Sequence, residues 1–418
     1  MMAPNFTNEF IIGQREIVKN TQLLLLTENE ELFSILDYTD NAIFLNPFIF
    51  SYFHQQHWAS DGAKGNFKVP RITLPQVLFH SIRKESMPKE YAFPAWSDES
   101  GIVHIPYTGY FKCGVKGELV NMCYTRKNKT FEIYDGDRKA DHKFIPAAFV
   151  AKSNIELFAY NNPFFDNVFE SAFDGFNRER SGEDRFNLQN TPVTALAGVN
   201  SDKINAAYSI LRKSGLNYFS LLENSLKGVF NFSNNVIWSF AHKAAYGVSF
   251  LSGNESDSLV FFAAELAHQG GHTVFAAILN KLDKFIAIDP TIRMNEVGGH
   301  PSDLRSIENA IHGLYTTSKV AEVLDYLYQN QDRLKLDRDQ RHEIIGRLAD
   351  NYYRHKTGLH QVDVKKIFTK KGLGVYTSLD NYLTRVYTKY GDIATAFRYE
   401  KGDFVFNYRK FKERFPLN

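Results

Sequence analysis

Apolar and polar positions change their spacing several times along the chain, and each change predicts a different kind of element. The stretch Glu28 to Tyr38 is spaced like a helix, and an apolar, aromatic run follows from Ile43 to Phe53. From about residue 101 to 150 the pattern shortens: Ile102-Val103-His104-Ile105, Tyr110-Phe111-Lys112-Cys113 and Phe131-Glu132-Ile133-Tyr134 alternate or cluster β-formers. Gly114, Gly117 and Asn128 lie between them as turn residues, which predicts an antiparallel meander. Residues 174–202 are polar and contain Gly and Asn, the composition of a linker or long surface loop.

Helical spacing then takes over. Ser201-Asp202 offers an N-cap ahead of Ile204, Ala207, Tyr208 and Leu211, and a second helix fits Tyr218, Leu221, Leu222 and Leu226. Two β-like stretches follow at 236–240 and 247–251. Beyond them lie a long apolar helix over about 258–282 and another over 302–328, with Ile307, Ile311, Leu314, Ser318, Ala321 and Leu324 near one face. The last ninety or so residues read as mixed helix and strand. The whole predicts an α+β protein. Its expected parts are an N-terminal mixed region (1–175) carrying the meander, a mainly helical HxxxH metal-binding unit (203–328) and a C-terminal mixed extension (329–418).

Composition narrows the function classes. The 418 residues carry 49 Lys+Arg against 47 Asp+Glu, so no global field draws the chain to nucleic acid or to an anionic membrane. Cys113 and Cys123 are the only cysteines, too few for a disulfide framework or a four-thiolate zinc site, and a reduced compartment is the expectation. The N-terminus lacks a basic stretch followed by an apolar one, and no apolar run is long enough to span a bilayer. A cytoplasmic protein is expected. There is no phosphate-cradling glycine loop, dinucleotide fingerprint or Gly-x-Ser-x-Gly elbow.

Candidate chemistry concentrates in Glu265-Leu266-Ala267-His268-Gln269-Gly270-Gly271-His272-Thr273-Val274-Phe275. On a helix, residues four apart project from one face, so His268 and His272 have the spacing of two nitrogen ligands for one metal. Glu265 shares their arc. With 13 histidines an i,i+4 pair also arises by chance. The adjacent glycines each cost a helix about 1 kcal/mol against alanine, which points to close backbone approach there. Gln269 stands where a zinc peptidase of the H-E-x-x-H type has its glutamate. An amide cannot take a proton from metal-bound water, so peptide hydrolysis is disfavoured, whereas a metal that activates O₂ needs no such base.

Four short elements occur in a fixed order: Gly247-Val248-Ser249-Phe250-Leu251-Ser252, Leu266-Ala267-His268-x-x-x-His272, Ile288-Asp289-Pro290-x-x-Arg293, and Ile311-His312-Gly313-Leu314-Tyr315. In that order they resemble the HExxH-type proteins of peptide natural-product clusters, over about residues 203–328. Some members of that family are fused to or paired with radical enzymes, and others are 2-oxoglutarate-dependent peptide β-hydroxylases. The resemblance implies that His268 and His272 bind iron with His312 as third ligand, that Fe(II) and 2-oxoglutarate are the cofactors, and that a ribosomally made precursor peptide is the partner. Two departures stand out: Gln269 replaces the glutamate, and Thr291 replaces a tryptophan common after the Ile-Asp-Pro element.

From the residues alone, the third ligand is open between His312, Glu308 and Glu265. A lone histidine on an apolar helix is more often part of the core, and Glu308 sits one turn before His312, placed to orient its second nitrogen or replace it. Arg293 and Arg305 lie between the two helices, where either could form a bidentate pair with a 2-oxoglutarate carboxylate. His54, His57, His242, His300, His355 and His360 are expected to be structural or solvated. Two functions follow. The first is an Fe(II)/2-oxoglutarate oxygenase hydroxylating a side-chain carbon of a ribosomal peptide, with Gln269 hydrogen-bonding in the site. The second is a catalytically inactive zincin-like, peptide-binding scaffold of a maturation complex.

Overall fold

The computed structural model describes residues 4–60, 72–178, 193–214, 218–234, 237–396 and 406–417. The helices of the first half are α1 (Thr7–Glu28), α2 (Glu30–Ser34), α3 (Pro47–Ser60), α4 (Leu74–Leu78), α5 (Asp166–Arg178), α6 (Ala197–Lys213) and α7 (Phe219–Ser225). Those of the second half are α8 (Leu259–Ile278), α9 (Ile307–Gln329), α10 (Arg338–Lys356), α11 (Val364–Ile367), α12 (Lys370–Ala396) and α13 (Tyr408–Arg414). Between α4 and α5 come β1 (Glu90–Trp96), β2 (Ile102–Ile105), β3 (Gly109–Lys112), β4 (Leu119–Thr125), β5 (Thr130–Asp135), β6 (Arg138–Ala140), β7 (Lys143–Pro146), β8 (Ala148–Phe149) and β9 (Glu156–Leu157). Further on are β10 (Thr194–Ala195), β11 (Gly228–Ser233) and β12 (Val248–Ser252). The architecture is α+β.

The predicted meander divides between two antiparallel sheets, β1-β4-β5-β6 and β2-β3-β7. Their inward residues, among them Phe93, Val103, Phe111, Val120, Met122 and Ile133, close over Phe79 as a small core of their own. A third, mixed sheet lies deeper. Strand β11 pairs in parallel with β12 and β9 and antiparallel with β10, while β8 extends from β9. All six residues of β11 except Ser233 are buried, and its one buried polar side chain, Asn231, is hydrogen-bonded to Leu251 O, Gly253 O and Asn200.

The main core is continuous through the N-terminal, middle and C-terminal regions, joining Phe10 of α1, Leu266 of α8 and Leu383 of α12. Helix α8 is its axis. Ser258 caps it by accepting from the Phe261 amide, and fourteen of its residues are buried. A helix apolar nearly all round must be surrounded, and α1, α6, α7, α9 and β12 pack against it. The two glycines mark close approaches. A Cβ at Gly270 would lie 2.2 Å from Leu222 of α7, and one at Gly271 would lie 3.3 Å from Thr316 of α9.

Several expectations need correcting. The helix expected over Glu28 to Tyr38 begins where α1 ends: Asn29 breaks the chain and caps α2, which stops at Ser34. Helix α6 starts at Ala197, so Ser201 and Asp202 are internal and cap nothing. The expected loop at 174–202 is partly the end of α5, strand β10 and the start of α6, and 179–192 fall outside the described residues. Of the expected strand at 236–240, only Phe240 pairs, in an isolated bridge with Phe250, and Val236 lies outside the described residues. Helix α9 begins at Ile307 behind an Ser306 cap rather than at Ser302. Among the described residues the C-terminal region is helical without strands, because the charges of α10 pair along the helix (Glu343 with Arg347, Asp350 with Arg354) instead of interrupting it. No helix among the described residues is long and apolar enough to cross a membrane.

Candidate functional site

Helices α8, α9 and α10, with residues 238–246 completing the lining, form a cavity of about 980 Å³, a size suited to a small cofactor plus part of a larger ligand. From α8, Glu265, His268, Gln269 and His272 face it, a polar stripe on an otherwise buried helix. From α9 come Glu308, His312 and Gly313. The third wall is α10, where Arg347, Asp350, Asn351, Arg354 and His355 repeat at helical intervals.

The three predicted histidines meet here. Their rings follow one another, His268 5.1 Å from His272 and His272 5.6 Å from His312, the latter pair stacked at 17°. Nδ1 of His272 lies 3.4 Å from Nδ1 of His312. Phe275 packs edge-on against His312 and stacks on Tyr315, which fixes the ring on the cavity side. Each imidazole is half-buried, one edge on the cavity and the rest wrapped in protein. Burial lowers the pKa of His268 to about 4, with help from the charges of Arg354 and Arg347. Burial lowers His272 and His312 to about 3, each further disfavoured by the neighbouring histidine. At neutral pH all three are uncharged and able to act as ligands.

The ring positions suit a shared ion, but the donor atoms of this trio do not all lie within 4.8 Å of one another. His268 is the outlying member; a half-turn about χ2 exchanges the nitrogen and carbon edges of its ring. Its neighbour Gln269 donates through Nε2 to Glu265 Oε2 at 3.3 Å. Glu265 also faces Arg347 Nη1 at 3.9 Å, so this carboxylate already serves two polar partners. Glu308 lines the same wall.

The two predicted arginines separate. Arg305 lines the cavity with Nη1 against Gly313, while its Nε and Nη2 fork onto Asp303 at 2.8 and 2.7 Å. Arg293 is exposed on the stretch that bridges to Ser306 and does not line the cavity. The cations that sequence reasoning missed are Arg347 and Arg354. Arg347 is held by Glu343 Oε1 at 2.8 Å and sandwiched between Phe261 and Phe406, and Arg354 pairs with Asp350 at 2.6 Å. Their spacing in Arg347-Leu348-Ala349-Asp350-Asn351-Tyr352-Tyr353-Arg354-His355 was a legible signal of a polar helical face.

No family model matches this sequence, and no curated protein does. Of the remaining histidines, His242 lines the cavity and stacks on His54, while His300 bonds within its own loop to Ser302. The side chain of His57 lies outside the described residues. His355 and His360 depart most from expectation. With Asp380 they form the group, among the described residues, whose ligating atoms all lie within 4.8 Å of one another.

Proposed function

We propose that the chain is an iron(II), 2-oxoglutarate-dependent oxygenase that hydroxylates a side-chain carbon of a ribosomally made peptide. The observation that carries this reading is the convergence of three uncharged imidazoles, His268, His272 and His312, on one wall of a cavity that also presents arginines. The donor set fits iron: neutral imidazole suits a divalent first-row metal, and the His272–His312 nitrogen separation is within reach of one ion. Iron held there would supply the activation of O₂. The α8–α9 pair would keep the donors uncharged, and Gln269, fixed by Glu265, would orient a neighbouring polar group without acting as base. Arg305 offers Nη1 beside Gly313 to a carboxylate, and Arg347 and Arg354, each paired with an acid of α10, line the α10 wall. The peptide would add to an edge of the meander sheets, whose outer strand β7 exposes Phe144.

The test is anaerobic reconstitution with Fe(II), followed by 2-oxoglutarate, O₂ and a co-encoded precursor peptide. The peptide should gain the mass of one oxygen atom as one succinate forms, and His272→Ala and His312→Ala should abolish both. A protein that consumes no 2-oxoglutarate under these conditions refutes the reading. The second reading, a catalytically inactive zincin-like scaffold for a maturation complex, draws on Gln269 and on the outlying position of His268. Maturation that proceeds unchanged with the His268→Ala variant would favour the scaffold.

A further inference from the structure

A second constellation lies on the C-terminal helices. His355 closes the last turn of α10, His360 sits in the 3₁₀ turn Leu359–Gln361, and Asp380 comes from the middle of α12. Their donor atoms form a tight triangle. His355 Nε2 is 2.9 Å from Asp380 Oδ1, His360 Nε2 is 2.7 Å from the same oxygen, and the two Nε2 atoms are 2.9 Å apart. The rings stand at 78° to each other.

Hydrogen bonding alone cannot satisfy this triangle. An imidazole nitrogen offers a single in-plane direction, either a proton or a lone pair, and an ionised carboxylate only accepts. If both nitrogens donate to Asp380, their two protons crowd each other across 2.9 Å. If His360 donates to His355 instead, the His355 nitrogen turns a lone pair toward a carboxylate lone pair. Each protonation state with an ionised Asp380 leaves one edge of the triangle unmatched. One occupant satisfies all three edges together: a cation that accepts a lone pair from each of the three donors.

The edge lengths also select a geometry. Donors about 2.0–2.1 Å from a metal are about 2.8–3.0 Å apart when cis in an octahedron, but about 3.3–3.4 Å apart in a tetrahedron. The observed edges of 2.7–2.9 Å are those of an octahedral face. Two histidines and one carboxylate on a face leave three positions for water or ligand oxygens, a donor set preferred by divalent first-row transition metals. We propose that His355, His360 and Asp380 form a metal site for a six-coordinate divalent transition ion, separate from the α8–α9 histidines. The ion would tie α10 to α12 through the turn between them. It would also border the large cavity, since His355, Gly358 and Leu359 line that cavity's wall.

Cobalt(II) added to the purified full-length protein is the probe, followed by visible absorption and thermal melting. His360 is the member to change first, because its side chain is 35% exposed and is expendable to the core, and Asp380→Asn preserves shape. Loss of an outer-sphere partner alone weakens metal binding 10–100-fold, so removal of a direct ligand should weaken it by more than about 100-fold. The expected result is weak, six-coordinate cobalt absorption and a metal-dependent rise in Tm. In a His272→Ala, His312→Ala background, which removes the α8–α9 donors, both should persist, and both should be lost when His360→Ala or Asp380→Asn is added. Unchanged affinity on adding His360→Ala and Asp380→Asn overturns the site. An intense, tetrahedral-type spectrum overturns its geometry.

Discussion

Gly13 is the position where one added methyl group should do most damage. It lies on the buried face of α1, and a Cβ built there would stand 1.7 Å from the carbonyl oxygen of Ala277 and 2.7 Å from its carbon. Carbon–oxygen contacts close at about 3.3 Å, so the two backbones would have to part by about 1.6 Å. No rotamer relieves this clash, because the obstructing atoms are backbone atoms of α8. Overpacking of this kind costs about 1–3 kcal/mol or more, while replacing glycine by alanine inside a helix returns about 1 kcal/mol. The net expectation for Gly13→Ala is a loss of about 2 kcal/mol. Gly374 and Gly391 of α12 are controls: a Cβ at either meets nothing within 4 Å, so alanine there should gain up to about 1 kcal/mol each. Urea unfolding followed by circular dichroism separates these outcomes through the midpoint at constant slope. Because α8 also carries His268 and His272, Gly13→Ala should further weaken the metal binding proposed for the cavity. A Gly13→Ala protein with a midpoint at or above wild type would refute the packing argument.

Acid should destabilise the fold through the cavity histidines. Their folded pKa values of about 4 (His268) and about 3 (His272, His312) lie below the ordinary 6.5, so the unfolded chain binds more protons between those values. The stability that they contribute is complete above pH 6.5 and is lost as pH falls from there toward 3; Tm of the metal-free protein should fall over that window, less steeply in His272→Gln, and an identical slope in the variant would contradict this. Glu156 is fully buried and accepts from His104 Nε2 and the Tyr107 amide, both at 2.8 Å. Glu156→Gln turns one acceptor into a donor facing an N–H group, a loss of about 1–3 kcal/mol that a urea midpoint would detect, and an unchanged midpoint would count against it. Gln269→Glu would set a carboxylate against Glu265, where Gln269 Nε2 now lies 3.3 Å away, so the pair should share a proton. That variant should not cleave peptides, and hydrolysis in a fluorogenic peptide assay would favour a peptidase ancestry of the site over the oxygenase reading.

Legibility in the sequence followed how local the determining forces are. Helix α8 was legible because its cap and its apolar run are contiguous, and the meander because β-formers cluster between turn residues, even though β2 and β3 are buried on nearly every position. Helix α1 was missed for the opposite reason. Ile11, Ile12, Leu23, Leu24 and Leu26 are exposed, so its apolar residues do not trace one face. In the site, the His268–His272 pair is a one-turn spacing and needs no tertiary knowledge. The α10 wall is different. Its arginines and acids face inward and pair with one another, which reads in sequence as a solvated helix. The His355–His360–Asp380 triangle joins residues on separate elements through the packing of α12 beside α10, information that no local window holds.

The partition of the interior into a large helical core and a small β core sets two levels at which the molecule opens. Amide protons of β4 and β5, whose strands rest on the small core, can exchange by local unfolding of that region while α8 stays packed on five neighbouring elements. Hydrogen exchange should therefore run through the meander sheets well before it reaches the backbone around His268 and His272. The half that carries the meander sheets can thus be remodelled by mutation at a free-energy cost that the half built around α8 does not share.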